Sequence, residues 1–211
     1  MSYDLEEQEQ IEALKAWWAK YGNFLLTVVT VVLLAFASWQ GWNWYQRHQS
    51  GQASGYFEAL QGAAAQGNLN QVSAASATLR DDYAKTAYAT RGALVAAQAQ
   101  AAGGDLEQAQ AELEWVVRER ASDPLAAVAR LRLAGVLLDQ QQYDAALAQL
   151  SAPTAGYESL YADRRGDILY LQGNTEQAKQ AWQQALDLFE SGNPLRSVVQ
   201  LKLDALGGSA A

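Results

Sequence analysis

The sequence predicts an all-α protein in which a single N-terminal transmembrane helix precedes a solenoid of helical hairpins. Three observations carry this prediction. Alanine, leucine and glutamine dominate a chain of 211 residues with only three prolines, a composition that favours helix over sheet. No charged residue occurs from residue 21 to residue 46. The polar remainder repeats a helical pattern every 32 to 37 residues.

Charge and the scarcity of reactive side chains exclude several classes of protein. The net charge is −8 and no run rich in lysine or arginine occurs, so we expect no nucleic-acid partner. The chain has no cysteine and a single histidine, His48. This excludes disulfides, thiolate metal sites and a cysteine nucleophile, and it leaves no histidine-rich metal site. We therefore expect no cofactor and no metal.

Asp163 and Asp167, four residues apart on one predicted helix face, are the strongest catalytic candidates. Such a pair can act as general acid and base, but that chemistry needs a shaped pocket around it. Arg164 and Arg165 lie between them, and solvated ion pairing is far commoner than catalysis at such sites. The sequence therefore predicts a protein that is not an enzyme.

The uncharged stretch could be a cleaved signal peptide, a buried core helix or a retained membrane anchor. The triplet at residues 35–37, Ala-Phe-Ala, resembles a signal cleavage site, but a signal peptide starts with a short basic segment. The segment ahead of the span, residues 1–20, is instead long, and its charged residues are mostly acidic. A core helix is a poor fit, because a run of about 18 or more apolar residues indicates a membrane span. The sequence favours a transmembrane helix over residues 21–45.

Aromatic residues lie at both ends of this span. From Tyr21 to Trp42 a helix covers about 32 Å, close to the hydrocarbon thickness of about 30 Å. Rings with an apolar body and a polar edge prefer the headgroup level of a lipid bilayer. The residues expected to flank the membrane anchor are Trp17, Trp18, Tyr21, Trp39, Trp42, Trp44 and Tyr45.

The basic residues around the span predict its orientation. Lys15 and Lys20 precede it, whereas Arg47 alone follows it closely. Basic side chains are retained on the cytoplasmic side, so this bias predicts a cytoplasmic segment over residues 1–20 and a far-side domain after residue 46. Residues 46–55 are small and polar and are predicted to form a linker or a loosely helical neck.

Four similar stretches follow, each with a small or polar turn before an alanine-rich helix. With spacings of 37, 37 and 32 residues, the equivalent positions are Leu69, Leu106, Tyr143 and Thr175. Asn68, Asp105 and Asn174 stand just before three of these starts, where a side-chain oxygen can accept from an unpaired backbone N–H. The period predicts a helical-hairpin solenoid over residues 56–206.

The clearest copy of the repeat, residues 164–189, resembles the tetratricopeptide repeat. Gly166 takes the small position of that pattern, and Ala178 takes its early alanine in the second helix. Small residues are needed there because packed helices cross at close approach. The copies lack the family's early tryptophan, and Gln100 and Val72 depart from the pattern in earlier copies.

The C-terminal region is predicted to cap the solenoid. Leucine and valine recur at helical spacing after Pro194, which indicates a terminal helix, and residues 207–211 are predicted to be a disordered tail. In such a solenoid the first helices of the hairpins line a groove suited to an extended peptide or a partner helix. The residues expected to form this partner-binding surface are Arg132, Asp139, Asp163, Asp167 and Tyr170.

The segments EEQEQIEALKAWWAKYGN before the span and WQGWNWYQRHQS after it, together with the degenerate repeats, give the whole chain a family resemblance. It resembles the YfgM family, the ancillary subunits of the bacterial SecYEG translocon. The resemblance implies a bacterial inner-membrane protein with a periplasmic C-terminal domain. It implies contacts with the SecYEG translocon and with a membrane-anchored periplasmic chaperone of the PpiD type. It also implies a cytoplasmic response regulator as a partner of the N-terminal segment.

We therefore expect a membrane-tethered protein-interaction scaffold at the Sec translocon, which links it to periplasmic chaperones for exported proteins. Other functions remain open from the sequence. The chain could be a scaffold for another envelope assembly complex, such as secretion, pilus or division machinery, or a regulator of envelope stress signalling. With the opposite orientation it would be a cytoplasm-facing adaptor.

Overall fold

The computed structural model describes the backbone of residues 2–207 and the side chains of residues 9–207. Regular structure in this part of the chain is entirely helical, which confirms the all-α prediction. The helices are α1 (Ser2–Ala65), α2 (Leu69–Asp81), α3 (Ala87–Ala102), α4 (Leu106–Glu119), α5 (Ala126–Asp139), α6 (Tyr143–Gln149), α7 (Glu158–Leu171), α8 (Thr175–Leu188) and α9 (Leu195–Ala205).

The chain forms two compact units, Met1–Gln49 and Ser50–Ala211. The first unit belongs to α1, which among the described helices is the one long and apolar enough to cross a membrane. Thr27, Thr30 and Ser38 each donate a hydrogen bond to the carbonyl four residues earlier, at 2.7–2.8 Å. Their hydroxyls are therefore satisfied within the helix, as a lipid environment requires.

The seven aromatic residues predicted to flank the span are all exposed on α1, by 43% to 66%. Several lie against their neighbours on the helix: the ring of Trp17 is 5.7 Å from that of Tyr21, and the ring of Trp44 stacks on His48 at 5.5 Å. Their placement at the lipid headgroups remains a prediction.

In its described part, the second unit, which we call the repeat domain, consists of four helical hairpins and a terminal helix. The end of α1 packs on α2, and the further hairpins are α3–α4, α5–α6 and α7–α8, with α9 against α8. The second helices of the hairpins begin at Leu69, Leu106, Tyr143 and Thr175. These are the four positions aligned in the sequence, so the predicted helical-hairpin solenoid is confirmed.

Each hairpin turns through a residue with positive φ, two positions before the second helix begins. Glycine occupies this position in three hairpins, at Gly67, Gly104 and Gly173 with φ of +68°, +85° and +89°. In the third hairpin Gln141 adopts the same conformation, with φ of +61°. A side chain in this left-handed conformation is strained by about 1–2 kcal/mol, and glycine is not.

We expect Gln141→Gly to stabilise the repeat domain by about 0.5–1 kcal/mol, since relief of strain exceeds the greater backbone entropy of unfolded glycine. Urea unfolding of the full-length protein in detergent, followed by far-ultraviolet circular dichroism, measures the change. Gly104→Gln, the reverse exchange one hairpin earlier, should lower the midpoint. A fall in the midpoint for both variants would contradict the prediction.

Two of the three predicted helix caps form. The side chains of Asn68 and Asp105 accept hydrogen bonds from the backbone N–H of Gln71 and Gln108, at 3.2 and 3.1 Å. The predicted cap at Asn174 is wrong. This residue precedes α8 as expected, but its side chain forms no capping hydrogen bond, and its amide donates to the side chain of Gln172 at 3.1 Å.

Small residues lie where the helices cross. The early alanine of the second helix, at Ala109, Ala146 and Ala178, is fully buried in each of the last three hairpins, as is Val72 in the first. At Gly166 an added Cβ atom would come within 2.4 Å of the Trp182 ring. The backbone of α7 can therefore approach α8 only because this position lacks a side chain.

The predicted capping helix is α9, which buries Val199 and Leu203 against the preceding hairpin. Its other large apolar residues, Leu195, Val198 and Leu201, are exposed by 38% to 69%. The helix therefore uses only part of its apolar surface in the cap. Residues 208–211, most of the predicted tail, lie outside the described residues.

Two buried polar residues join neighbouring hairpins. Gln100, the departure from the repeat pattern, donates from its amide to the Leu69 carbonyl and to the Ser73 hydroxyl, at 3.3 and 2.6 Å. Glu112 is only 3% exposed; it accepts from the Ser76 hydroxyl at 2.8 Å and lies 3.5 Å from Nε of Arg80. Burial raises the pKa of Glu112, outweighing the opposite effects of Arg80 and Ser76.

We expect Glu112→Gln to gain stability relative to the natural chain as pH rises above the usual glutamate pKa of about 4.3. Because its pKa is raised on folding, Glu112 binds its proton more tightly in the folded state. The stability this provides is present at low pH and is lost as pH rises through the raised pKa.

Glutamine at position 112 keeps an acceptor for Ser76 and does not titrate. Denaturant midpoints measured across this pH range test the prediction, with the exposed Glu114→Gln as control. Parallel curves for Glu112→Gln and the natural chain would refute it.

Candidate partner-binding groove

A groove of about 530 Å³ lies between α3, α5 and α7, the first helices of three successive hairpins. Its buried lining is apolar and includes Ala97, Leu113 and Val136. Exposed charged side chains, Arg132 and Asp139, also line it. This combination of an apolar floor and a few polar groups is typical of a binding site.

Small residues keep the middle of the groove open. Gly135 on α5 has no side chain, and an added Cβ atom would meet only the guanidinium of Arg164, at 4.0 Å. Ala97 and Ala101 line the groove from α3. An incoming side chain can therefore approach the backbone of α5 between these helices.

Arg132 and Asp139 lie seven residues apart on α5. The Arg132 guanidinium donates one hydrogen bond, to the Leu94 carbonyl on α3, at 3.2 Å. Among the described residues neither side chain forms an ion pair. Both charges therefore remain available at the groove.

Asp163 and Asp167, by contrast, are paired within the fold. Nζ of Lys202 on α9 lies 2.7 Å from Oδ1 of Asp163 and 2.6 Å from Oδ1 of Asp167. The same oxygen of Asp167 accepts from the indole N–H of Trp182 at 3.1 Å, and its other oxygen lies 3.8 Å from Arg164. This cluster joins α7, α8 and α9. Burial raises the pKa of Asp163, and the neighbouring Asp167 acts in the same direction, although Lys202 opposes both.

The structure brings three of the five predicted surface residues together. Arg132, Asp139 and Asp163 line the groove. Asp167 is instead held in the cluster with Lys202, and the ring of Tyr170 packs 5.7 Å from that of Trp182 while 45% of the residue is exposed. A binding role for any of the five remains a proposal.

Sequence reasoning missed Lys202 at this site. Lys202 follows Asp163 by 39 residues and Asp167 by 35, which is about one repeat. Residues one period apart take equivalent places in a solenoid. A search for opposite charges at that spacing could therefore have found the pairing. The side chains of residues 9–207 contain no cluster of three or more acidic or histidine residues that could hold a metal ion.

The family model for the tetratricopeptide repeat-like domain matches residues 15–208 of the chain. The chain belongs to this family. The match includes the apolar part of α1 as well as the whole described repeat domain.

Curated proteins named ancillary SecYEG translocon subunit are similar to this tetratricopeptide repeat-like chain along nearly its full length. The one from Neisseria gonorrhoeae is 29% identical over 98% of this chain and 100% of its own length. The one from Escherichia coli K12 is 29% identical over 95% and 96%. A third, from Haemophilus influenzae, is 28% identical over 98% and 100%. These relatives carry the name of the protein family that the sequence resembles, so the resemblance is confirmed.

Among solved structures, a crystal structure of nearly identical TPR-like repeats from Podosopora anserina is similar in fold. The TM-score is 0.53 with 17% sequence identity, over 77% of this chain and 87% of the other. This likeness supports the repeat fold of the tetratricopeptide repeat-like domain.

Proposed function

We propose that the chain is a membrane-tethered scaffold at the SecYEG translocon, which it links to a membrane-anchored periplasmic chaperone of the PpiD type. One observation carries the proposal: the relatives named as translocon subunits align with 95% to 98% of the chain, the apolar part of α1 and the repeats together. A match to the repeats alone would have supported only a general interaction domain.

The membrane-spanning helix would act as a tether for the repeat domain. A spanning helix confines the repeat domain to the membrane surface and so raises its effective concentration at a membrane-embedded partner. The groove between α3, α5 and α7 then binds the chaperone. The chain needs no catalytic chemistry for this function.

The proposed orientation places the N-terminus in the cytoplasm and the repeat domain in the periplasm of a bacterial inner-membrane protein. It rests on Lys15 and Lys20 before the span against Arg47 after it. Because the chain has no cysteine, single-cysteine variants report the topology directly. In spheroplasts, a membrane-impermeant maleimide should label Gln180→Cys, whereas Gln10→Cys should react only after lysis. The reverse pattern would establish the cytoplasm-facing adaptor instead.

Photocrosslinking in native membranes tests the partners. A photoreactive phenylalanine analogue at Leu33 samples the span, and one at Leu131 samples the groove. We expect translocon subunits to crosslink at the span and a periplasmic chaperone at the groove. The exposed Glu114 on α4, away from the groove, is the control position.

Exchange of residues 21–45 for an unrelated membrane span of equal length provides the matched control for the tether. Loss of translocon crosslinks in this variant would show that the span makes the contact. Recovery of a different envelope complex from the natural chain would overturn the translocon proposal. Contact of residues 1–20 with a cytoplasmic response regulator remains a prediction from the resemblance.

A further inference from the structure

We propose that the groove binds a partner helix that carries an acidic and a basic side chain seven residues apart. The acidic side chain pairs with Arg132 and the basic one with Asp139. This inference rests on the proposed function, since it specifies the chemistry of the segment that the groove accepts.

The charged side chains at the groove differ in whether the fold already pairs them. Asp163 is paired with Lys202, and Arg164 lies 3.8 Å from Asp167. Arg132 and Asp139 are exposed and, within residues 9–207, form no ion pair. These two charges are therefore the ones to which a partner can offer complementary groups.

The spacing of Arg132 and Asp139 along α5 sets the spacing of the complementary side chains on a partner. Seven residues of α5 are two helical turns, which separate Arg132 from Asp139 by about 10.5 Å along the helix axis. A partner helix aligned with α5 has the same rise, so its complementary side chains also fall seven residues apart. An extended segment would need them about three residues apart instead.

The surface of α5 between the two charges is open. Gly135 lies midway, and only the Arg164 guanidinium comes near an added Cβ atom there. Leu131 and Leu160 border this opening. An apolar side chain on the partner, between its two charged residues, can therefore pack against α5 while the charges pair on either side.

Synthetic peptides test the proposal on the full-length protein in lipid nanodiscs. The peptides are alanine-rich, have a central leucine, and are about 15 residues long so that helix can form. Two positions seven residues apart carry Glu and Lys, Glu and Glu, Lys and Lys, or Gln and Gln. We expect the Glu/Lys peptide to bind about threefold to tenfold more tightly than the Gln/Gln peptide, as two partly exposed ion pairs allow.

Charge reversal in the groove should switch this preference. Asp139→Arg leaves two positive charges, so the Glu/Glu peptide should become the tightest ligand, and Arg132→Asp should favour the Lys/Lys peptide in the same way. Arg118→Asp, on the exposed side chain of α4, is the matched control and should leave the order unchanged.

Equal binding of the four peptides, absence of binding, or an order that ignores the charge reversals would overturn the proposal. Tighter binding of a proline-containing peptide with Glu and Lys three residues apart would also overturn it in favour of an extended partner. These failures would leave the crosslinks to translocon subunits intact, so they are distinguishable from a failure of the proposed function.

Discussion

Replacement of Trp182 with alanine is expected to lower the free energy of unfolding of the repeat domain by about 3–5 kcal/mol, the usual cost of removing a buried tryptophan. Trp182 is 3% exposed and lies in a cluster of buried apolar residues from α7, α8 and α9 that includes Val199 and Leu203. Its ring also fills the space beside Gly166, where an added Cβ would be 2.4 Å away. Alanine at this position would therefore leave a cavity between α8 and α7 and another between α8 and α9.

The loss should be local, because each hairpin of a solenoid is stabilised mainly by its neighbours. Hydrogen exchange of the full-length variant should therefore show reduced protection in α8 and α9, while α3 and α4 keep theirs. Trp182→Phe is the matched control: it retains an aromatic ring but loses the hydrogen bond to Asp167, so its cost should be smaller. Uniform loss of protection along the whole repeat domain would contradict the prediction.

The hairpin architecture could be predicted from the sequence because its determinants are local and repeated. Glycine turns, capping residues and early alanines recur at nearly constant spacing, and the four aligned positions prove to be the first residues of α2, α4, α6 and α8. The span could be predicted for a similar reason, since length and composition alone identify it as a candidate.

Side-chain pairing between hairpins could not be predicted in this way, because it depends on how neighbouring helices are aligned. Glutamate is rarely fully buried, yet Glu112 is buried against Ser76 and Arg80. Asp167 reads as a groove residue, yet it is held by Lys202 and Trp182. In both cases the partner lies on another helix, 15 to 36 residues away. The local pattern does not contain that information.

Lys202→Met should lower the free energy of unfolding by about 2 kcal/mol, less than the 3–5 kcal/mol typical when one partner of a fully buried ion pair is removed. The expected loss of stability is smaller because the three charged side chains remain 19% to 26% exposed. Methionine retains much of the packing but removes the cation between Asp163 and Asp167. Two like charges four residues apart then face each other with only the more distant Arg164, 3.8 Å from Asp167, as a counterion.

The cost of Lys202→Met should depend on pH, which separates loss of charge from loss of packing. Burial already raises the pKa of Asp163, so acidification protonates this carboxyl group and removes one of the two like charges. We therefore expect the destabilisation, measured by urea unfolding in detergent, to be largest at neutral pH and to shrink as pH falls toward the acidic range. A pH-independent cost would indicate that Lys202 acts through packing alone.

Lys179→Met is the matched control. Its partner Glu176 is 81% exposed, so loss of this surface ion pair should change stability by less than about 1 kcal/mol.

Trp182 and Lys202 should not act independently, since the ammonium of Lys202 lies 5.8 Å from the Trp182 ring and both side chains bind the same oxygen of Asp167. The double variant is therefore expected to lose less stability than the sum of the two single variants, by about 0.5–3 kcal/mol for residues that share a partner. Additive losses would mean that α9 is held by its apolar contacts, Val199 and Leu203, without the ionic cluster. Coupled losses would make the cluster of Asp163, Asp167, Lys202 and Trp182 a single cooperative contact that fastens the terminal helix and fixes the α7 side of the groove.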